Sequence, residues 1–176
     1  MGTPEFILDL RAKVGTTQLW LSGVTAVITR DGPEGSAAST GSAREVLLIR
    51  RSDNGAWTPV TGIIDPGEHP VEAAVREAAE EAGVQIAVDY LAWVNVTDVV
   101  TYPNGDRSRY LDHTFACHWL EGDPAPADDE ATEAGWWPLD ALPPLSAELS
   151  ARIAVVVDSL ARADRTTRLT PYDARS

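Results

Sequence analysis

Three glutamates, Glu77, Glu80 and Glu81, stand at i, i+3 and i+4 in the run REAAEEAG. On an α-helix that spacing projects all three carboxylates from one face. Like charges so close repel unless a cation sits among them. Oxygen donors without Cys or His favour Mg²⁺ or Mn²⁺ over zinc. Val71, Ala74, Val75, Ala78 and Ala82 fall on the other side and are expected to pack inward. A glutamate-rich helix is also what a solvated face looks like, so the neighbouring residues must decide.

They extend the pattern. Gly62 is followed after five residues by Glu68 and, after seven more, by Arg76-Glu77; then come Ala78, Glu80-Glu81, Gly83 and Val84. This stretch resembles the Nudix box, G-x5-E-x7-R-E-U-x-E-E-x-G-U, where U is a bulky apolar residue. Every fixed position is filled, and Ala78 is small for its place. The resemblance implies an α/β fold, an α/β/α sandwich with a curved mixed sheet. It also implies water attack at phosphorus in a nucleoside diphosphate linked to a further group. The substrate class is then a nucleoside triphosphate, a nucleotide sugar or a dinucleoside polyphosphate. Mg²⁺, with Mn²⁺ able to replace it, is the implied cofactor. The alternative is a Nudix-like domain that binds a nucleotide without cleaving it. Such domains usually lose box carboxylates, and this chain keeps them.

By resemblance, Glu80 and Glu81 are metal ligands, and Glu77 is a ligand or a carboxylate that holds water. Gly62 would lend its backbone carbonyl. Arg76 would position the acids through an ion pair with Glu68 or Glu77; its bland role is an exposed pair with Glu80. The general base is expected from the later acidic loop, which offers Asp128, Asp129, Glu130 and Glu133, and Glu130 is the residue chosen. Arg50 and Arg51 end a strand where relatives keep a cation near the phosphates. Adjacent strand residues face opposite ways, so at most one enters the site. Trp57 and Tyr102 are candidates for stacking a base, and Arg109 for a substrate anion. Relatives commonly read W-x-L-P-G-G where this chain has Trp57-Thr58-Pro59-Val60-Thr61-Gly62, so Thr61 replaces a glycine.

The 176 residues suffice for one domain with a core. A net charge of −13 argues against a nucleic-acid backbone or an anionic membrane as partner. The expected partner is a small nucleotide; a homodimer is expected only by analogy with relatives. Cys117 is the sole cysteine, which fits a reducing compartment. No secretory leader or long apolar run is evident, so cytoplasmic placement is expected.

Several elements must position these groups. A short helix is expected after Thr3-Pro4-Glu5, inside an extension over residues 1–18. The Nudix-type domain then covers 19–163, and 164–176 form a flexible tail. Strands are expected over Leu19–Thr29, Glu45–Arg50, Ala87–Thr101, Arg107–Leu120 and around Trp136. Residues 31–43, poor in large side chains, read as a surface loop. Pro70 starts and Gly83 stops the box helix. Pro103-Asn104-Gly105-Asp106 reads as a hairpin turn of type I′. Ser146 caps a last helix reaching Ala163.

Overall fold

A computed structural model describes residues 3–32, 44–127 and 129–171. The loop expected over 31–43 therefore lies almost wholly outside the described residues, as does Asp128. The element order is α1 (Glu5–Val14), β1 (Leu19–Asp31), β2 (Arg44–Arg51), β3 (Trp57–Thr58), β4 (Val60–Ile63), α2 (Pro70–Ala82), β5 (Gln85–Val96), β6 (Val100–Thr101), β7 (Arg107–Glu121), β8 (Ala131–Pro138) and α3 (Ala147–Arg162).

The strands β1 and β7 form the centre and run parallel, with Leu19 opposite Ser108 and Thr29 opposite His118. Their other pairings are antiparallel, so the sheet is mixed. One edge of β1 serves two strands in turn: β4 pairs with Gly23–Ala26 and β2 with Thr29–Asp31. The edge therefore forks, and the fork matters for the site below.

Both faces of the sheet are covered. Val24, Ala26, Ile28, Leu47 and Ile49 pack under α2, while Val27, Val46 and Leu48 pack under α3. Strands buried on both faces need near-continuous apolar runs, and VLLI in β2 supplies one. The expected α/β/α sandwich is what the chain forms. No helix among the described residues is long and apolar enough to cross a membrane.

Three local expectations differ from the structure. Val71 and Val75 are exposed, and the buried arc of α2 instead runs through Ala73, Ala74, Ala78, Ala82 and Glu81. The helix is rotated toward its glutamates, and alanine at 78 suits the close approach to the sheet. The hairpin turn is not type I′, because Asn104 is not among the described residues with positive φ. Pro103 has no N–H to close a pair with Asp106; instead the Tyr102 N–H donates to the Asp106 carbonyl and the Gly105 N–H to the Tyr102 carbonyl, each at 2.9 Å, and Gly105 alone in this turn is left-handed, φ 87°. Finally, the tail is tied down beyond residue 164. Arg168 N–H donates to the Ala92 carbonyl at 2.8 Å, and Val94 N–H donates to the Arg168 carbonyl at 3.0 Å. That covers part of the β5 edge, a place otherwise open to another strand.

Candidate active site

The box folds as a strand, a turn and a helix: β4 carries Gly62, the Asp65–Glu68 turn follows, and α2 returns over the sheet. Pro70 opens α2, and Gly83 ends it in the left-handed region at φ 66°. The helix brings Glu77 against Gly62. A β-carbon on Gly62 would lie 2.1 Å from the Glu77 carboxyl carbon, so only glycine leaves that carboxylate its place.

Arg76 ties the cluster together. Its Nε and Nη2 donate to the two Glu68 oxygens at 2.8 and 2.9 Å. Its Nη1 donates to Glu77 at 2.7 Å and to Glu80 at 3.1 Å, and Nη2 also reaches the Ile63 carbonyl at 3.1 Å. The positioning contacts and the i, i+4 pair with Glu80 are therefore made by one guanidinium. Its bond to Glu68 holds that carboxyl below its ordinary range, and Glu68 in turn holds the Arg76 charge firmly in place.

Glu81 has no such counter-ion bond. It is 3% exposed and accepts a hydrogen bond from the Thr61 N–H at 3.3 Å. Because a backbone N–H makes this contact, threonine serves at position 61 where relatives keep glycine. Burial, then the neighbouring Glu77 charge, lift the Glu81 carboxyl to about 8. Burial lifts Glu77 to about 7 despite Arg76. The Glu130 charge pushes both upward, so the later loop does bring that acid within reach of the pair. Loss of water costs a carboxylate most when no cation replaces it.

The remaining expected residues separate. Arg51 faces the acids: its charge reaches Glu81 and Tyr102, and Asp53 receives its Nε and Nη2 at 2.9 Å each. Arg50 points away, donating to Glu133 at 2.6 Å and to the Gly55 carbonyl at 3.1 Å. Trp57 packs edge-on against Trp137, with ring centroids 5.1 Å apart, in the core under α3. Tyr102 shares a 2.6 Å hydroxyl contact with Tyr110, whose ring lies against Gly23. Arg109 stands on β7 opposite Trp20, and its buried Nε has no hydrogen-bond partner among the described residues. Sequence reasoning missed Asp53 and Tyr110. Asp53 lies two residues beyond Arg51 in a turn, a signal available but too common to act on.

A cleft of about 830 Å³ opens between α1, the start of β1 and the Asp65–Glu68 turn. It touches Glu68 but not Glu77, Glu80 or Glu81, so the reactive centre is assigned from charge and burial, not from cleft size.

Among the described residues, no three His, Cys, Asp or Glu side chains close into a cage for a metal ion. Mg²⁺ does not need one, because it keeps several waters and takes one or two carboxylates along with substrate phosphates. A carboxylate pair beside Gly62, with buried Glu81 unbonded to any cation among the described residues and half-buried Glu77 bonded to Arg76, suits that open coordination.

These shifts set a pH dependence. Without metal, the folded chain keeps protons on Glu77 and Glu81 that the unfolded chain, with carboxyls near 4.5, releases. The contribution of these two groups to stability therefore falls as pH rises from about 4.5 to about 8 and is constant above that. Glu68 and Asp53, held low by Arg76 and Arg51, act on the acid side of this window. Urea unfolding in EDTA at pH 5, 6.5 and 8 is expected to show a falling midpoint. Added Mg²⁺ restores more at pH 8 than at pH 5. A midpoint flat across this range contradicts the assignment.

A mixed sheet covered by α2 on one face and α3 on the other, with the box glutamates on the helix that packs against Gly62, defines an α/β/α hydrolase class. The NUDIX domain model matches residues 24–159, and the chain belongs to the Nudix family. It is 34% identical to the NAD-capped RNA hydrolase NudC of Pseudomonas aeruginosa over 113 residues, 60% of this chain and 36% of that protein. The chain thus spans about a third of the length of that curated relative. The MutT NUDIX hydrolase of Burkholderia pseudomallei superposes with a TM-score of 0.55 at 30% identity, over 78% of this chain and 98% of that one. A UDP-X diphosphatase superposes with a TM-score of 0.65 at 21% identity, over 94% of this chain and 74% of that one, which bears on the fold alone.

Proposed function

We propose that this chain is a Mg²⁺-dependent pyrophosphohydrolase, with Mn²⁺ able to replace Mg²⁺. Its substrate is a nucleoside diphosphate derivative: a nucleoside triphosphate, a nucleotide sugar or a dinucleoside polyphosphate. The observation that carries this reading is the buried Glu77–Glu81 pair, which Arg76 compensates on one side only. Glu77, Glu80, Glu81 and the Gly62 carbonyl would hold the metal. When bound, it would neutralise phosphate charge and acidify a water.

The chain's own residues do the rest. Arg76 and Glu68 hold Glu77 and Glu80 at fixed places on α2. Glu130 takes the proton of the attacking water, because its field is already coupled to Glu77 and Glu81. Arg51 meets the phosphates as a charge-assisted donor. Tyr102 and Tyr110 border the group beyond them. The net charge of −13 disfavours a long phosphate backbone. A capped 5′ end presents chiefly its diphosphate, and the curated relative named for that activity places it on the test panel.

The test incubates the protein with Mg²⁺ and nucleoside triphosphates, nucleotide sugars, dinucleoside polyphosphates and an NAD-capped oligonucleotide, beside Glu80→Gln and Glu81→Gln. One class is expected to be split at its pyrophosphate linkage, with each variant slowed at least about 100-fold. Tight binding with no hydrolysis anywhere on the panel favours the non-catalytic nucleotide sensor. Full activity in the Gln variants overturns the metal assignment.

A further inference from the structure

Adjacent arginines at 50 and 51 face opposite ways, as neighbours on a strand do, and the backbone around them is fixed locally. The register of β2 against β8 breaks between them: Arg50 is opposite Glu133 and Arg51 opposite Ala131, leaving Thr132 as the extra residue. The extra residue lies on β8, so it is β8 that bends where it passes Arg51. Arg51 also begins a turn, closed by Gly55 N–H to the Arg51 carbonyl at 3.0 Å and Arg51 N–H to the Ala56 carbonyl at 2.9 Å. Within that turn, Ser52 N–H donates to the Glu130 carbonyl at 2.8 Å. One turn therefore fixes the backbone of both Arg51 and Glu130, the cation and the acid whose charges meet at Glu81.

Asp53 sets the side chain. Its two oxygens accept Nε and Nη2 of Arg51 at 2.9 Å each, a two-point contact that fixes the plane of the guanidinium. Both side chains are about a third exposed, at 33% and 39%. Exposed pairs of this kind add little to stability, so the geometry, more than the energy, is what the pair provides. The fork has five N–H groups. Among the described residues Asp53 engages one edge of it and leaves Nη1 with both its protons, and the second proton of Nη2, for another anion. Glu81 and Tyr102 lie within reach of that charge.

We infer that Asp53 is a positioning residue, holding the guanidinium of Arg51 with its remaining donors aimed at the substrate's phosphates. Asp53 itself touches no substrate. This rests on the hydrolase reading above, in which Arg51 meets those phosphates.

The experiment is a double-mutant cycle with Asp53→Asn, Arg51→Ala and both together, using the panel substrate that the wild type splits fastest. Binding of inorganic pyrophosphate with Mg²⁺ is measured in parallel by calorimetry. Asp53→Asn is expected to raise KM and the pyrophosphate Kd about 10-fold while kcat moves less than about 3-fold. In the Arg51→Ala background the same change is expected to do almost nothing. Asp89→Asn, on β5, serves as a control that shifts neither value. Thermal unfolding of Asp53→Asn should stay within about 2 °C of wild type. An equal effect of Asp53→Asn in both backgrounds, or an unchanged KM and Kd, overturns the inference. A wild type that neither splits the panel nor binds pyrophosphate overturns the hydrolase reading, and the inference with it. An active wild type with an indifferent Asp53 sinks the inference alone.

Discussion

Replacing Gly62 by alanine is expected to remove nearly all activity while leaving the fold in place. The added methyl would stand 2.1 Å from both the Glu77 carboxyl carbon and its Oε1, distances no packed atoms tolerate. What yields is the far end of a flexible side chain, so the backbone need not move. Glu77 swings out, its 2.7 Å bond to Arg76 breaks, and the acid pair over Gly62 is dispersed. Activity should drop at least about 100-fold, since a misplacement of about 1 Å in a reactive constellation costs that much. The unfolding free energy should move by no more than about 1 kcal/mol, because relieving Glu77 from burial offsets part of the clash. Comparing hydrolysis rate with urea unfolding checks both halves. If activity survives, Glu77 is not part of the reacting centre.

Asp112→Ala should show the opposite pattern, with a large loss of stability at a position away from the box. Asp112 and Arg152 have side chains only 4% and 8% exposed, and their Oδ1 and Nη1 lie 3.3 Å apart. Thr25 donates to Asp112 at 2.7 Å and Thr114 at 2.6 Å, while Arg152 donates to Thr25 at 2.8 Å and to Glu148 at 2.7 Å. This network pins α3 to the middle of β1 and β7. Deleting the acid leaves a buried guanidinium bonded to Thr25 with Glu148 as its ion-pair partner, and takes the acceptor from the Thr25 and Thr114 hydroxyls. Breaking such a pair costs about 3–5 kcal/mol, or roughly 10 °C of melting temperature for a chain of this size. Arg152→Met in the same molecule should recover part of that loss, because it removes the uncompensated charge. A double variant no more stable than Asp112→Ala alone argues that the threonine hydroxyls, not the charge, carry the cost.

Much of the box was legible without coordinates. The start at Pro70, the stop at Gly83 and the convergence of Glu77, Glu80 and Arg76 follow from helical spacing and from two residues with restricted backbones. The partner of Arg76 was narrowed to Glu68 or Glu77, and the guanidinium reaches both. The rotation of α2 was not legible. Two valines and three alanines suggest one inner face, but steric room under the helix selected alanines, Ala73 among them, and buried Glu81 with them. The hairpin shows the same competition at shorter range: Asn-Gly argued for one turn, and the ring of Pro103 excluded it.

The place of Gly62 beside the acids came from the resemblance to the Nudix box, while the chemistry available was legible in the residues alone: which acids share a helix face, and that oxygen ligands would serve a hard cation. These depend on spacing within one element, where the geometry is nearly fixed. The tertiary structure decided which groups from distant elements meet. The parallel pairing of β1 with β7, the fork of β1 between β2 and β4, and the bulge between β2 and β8 are long-range events without a local signature. They choose Arg51 over Arg50, bring Glu130 to Glu81, and set Trp57 into a core. Burial, likewise a property of the assembled layers, gives Glu77 and Glu81 their raised carboxyls, because removal of water is decided by everything packed around them and not by their neighbours in the chain.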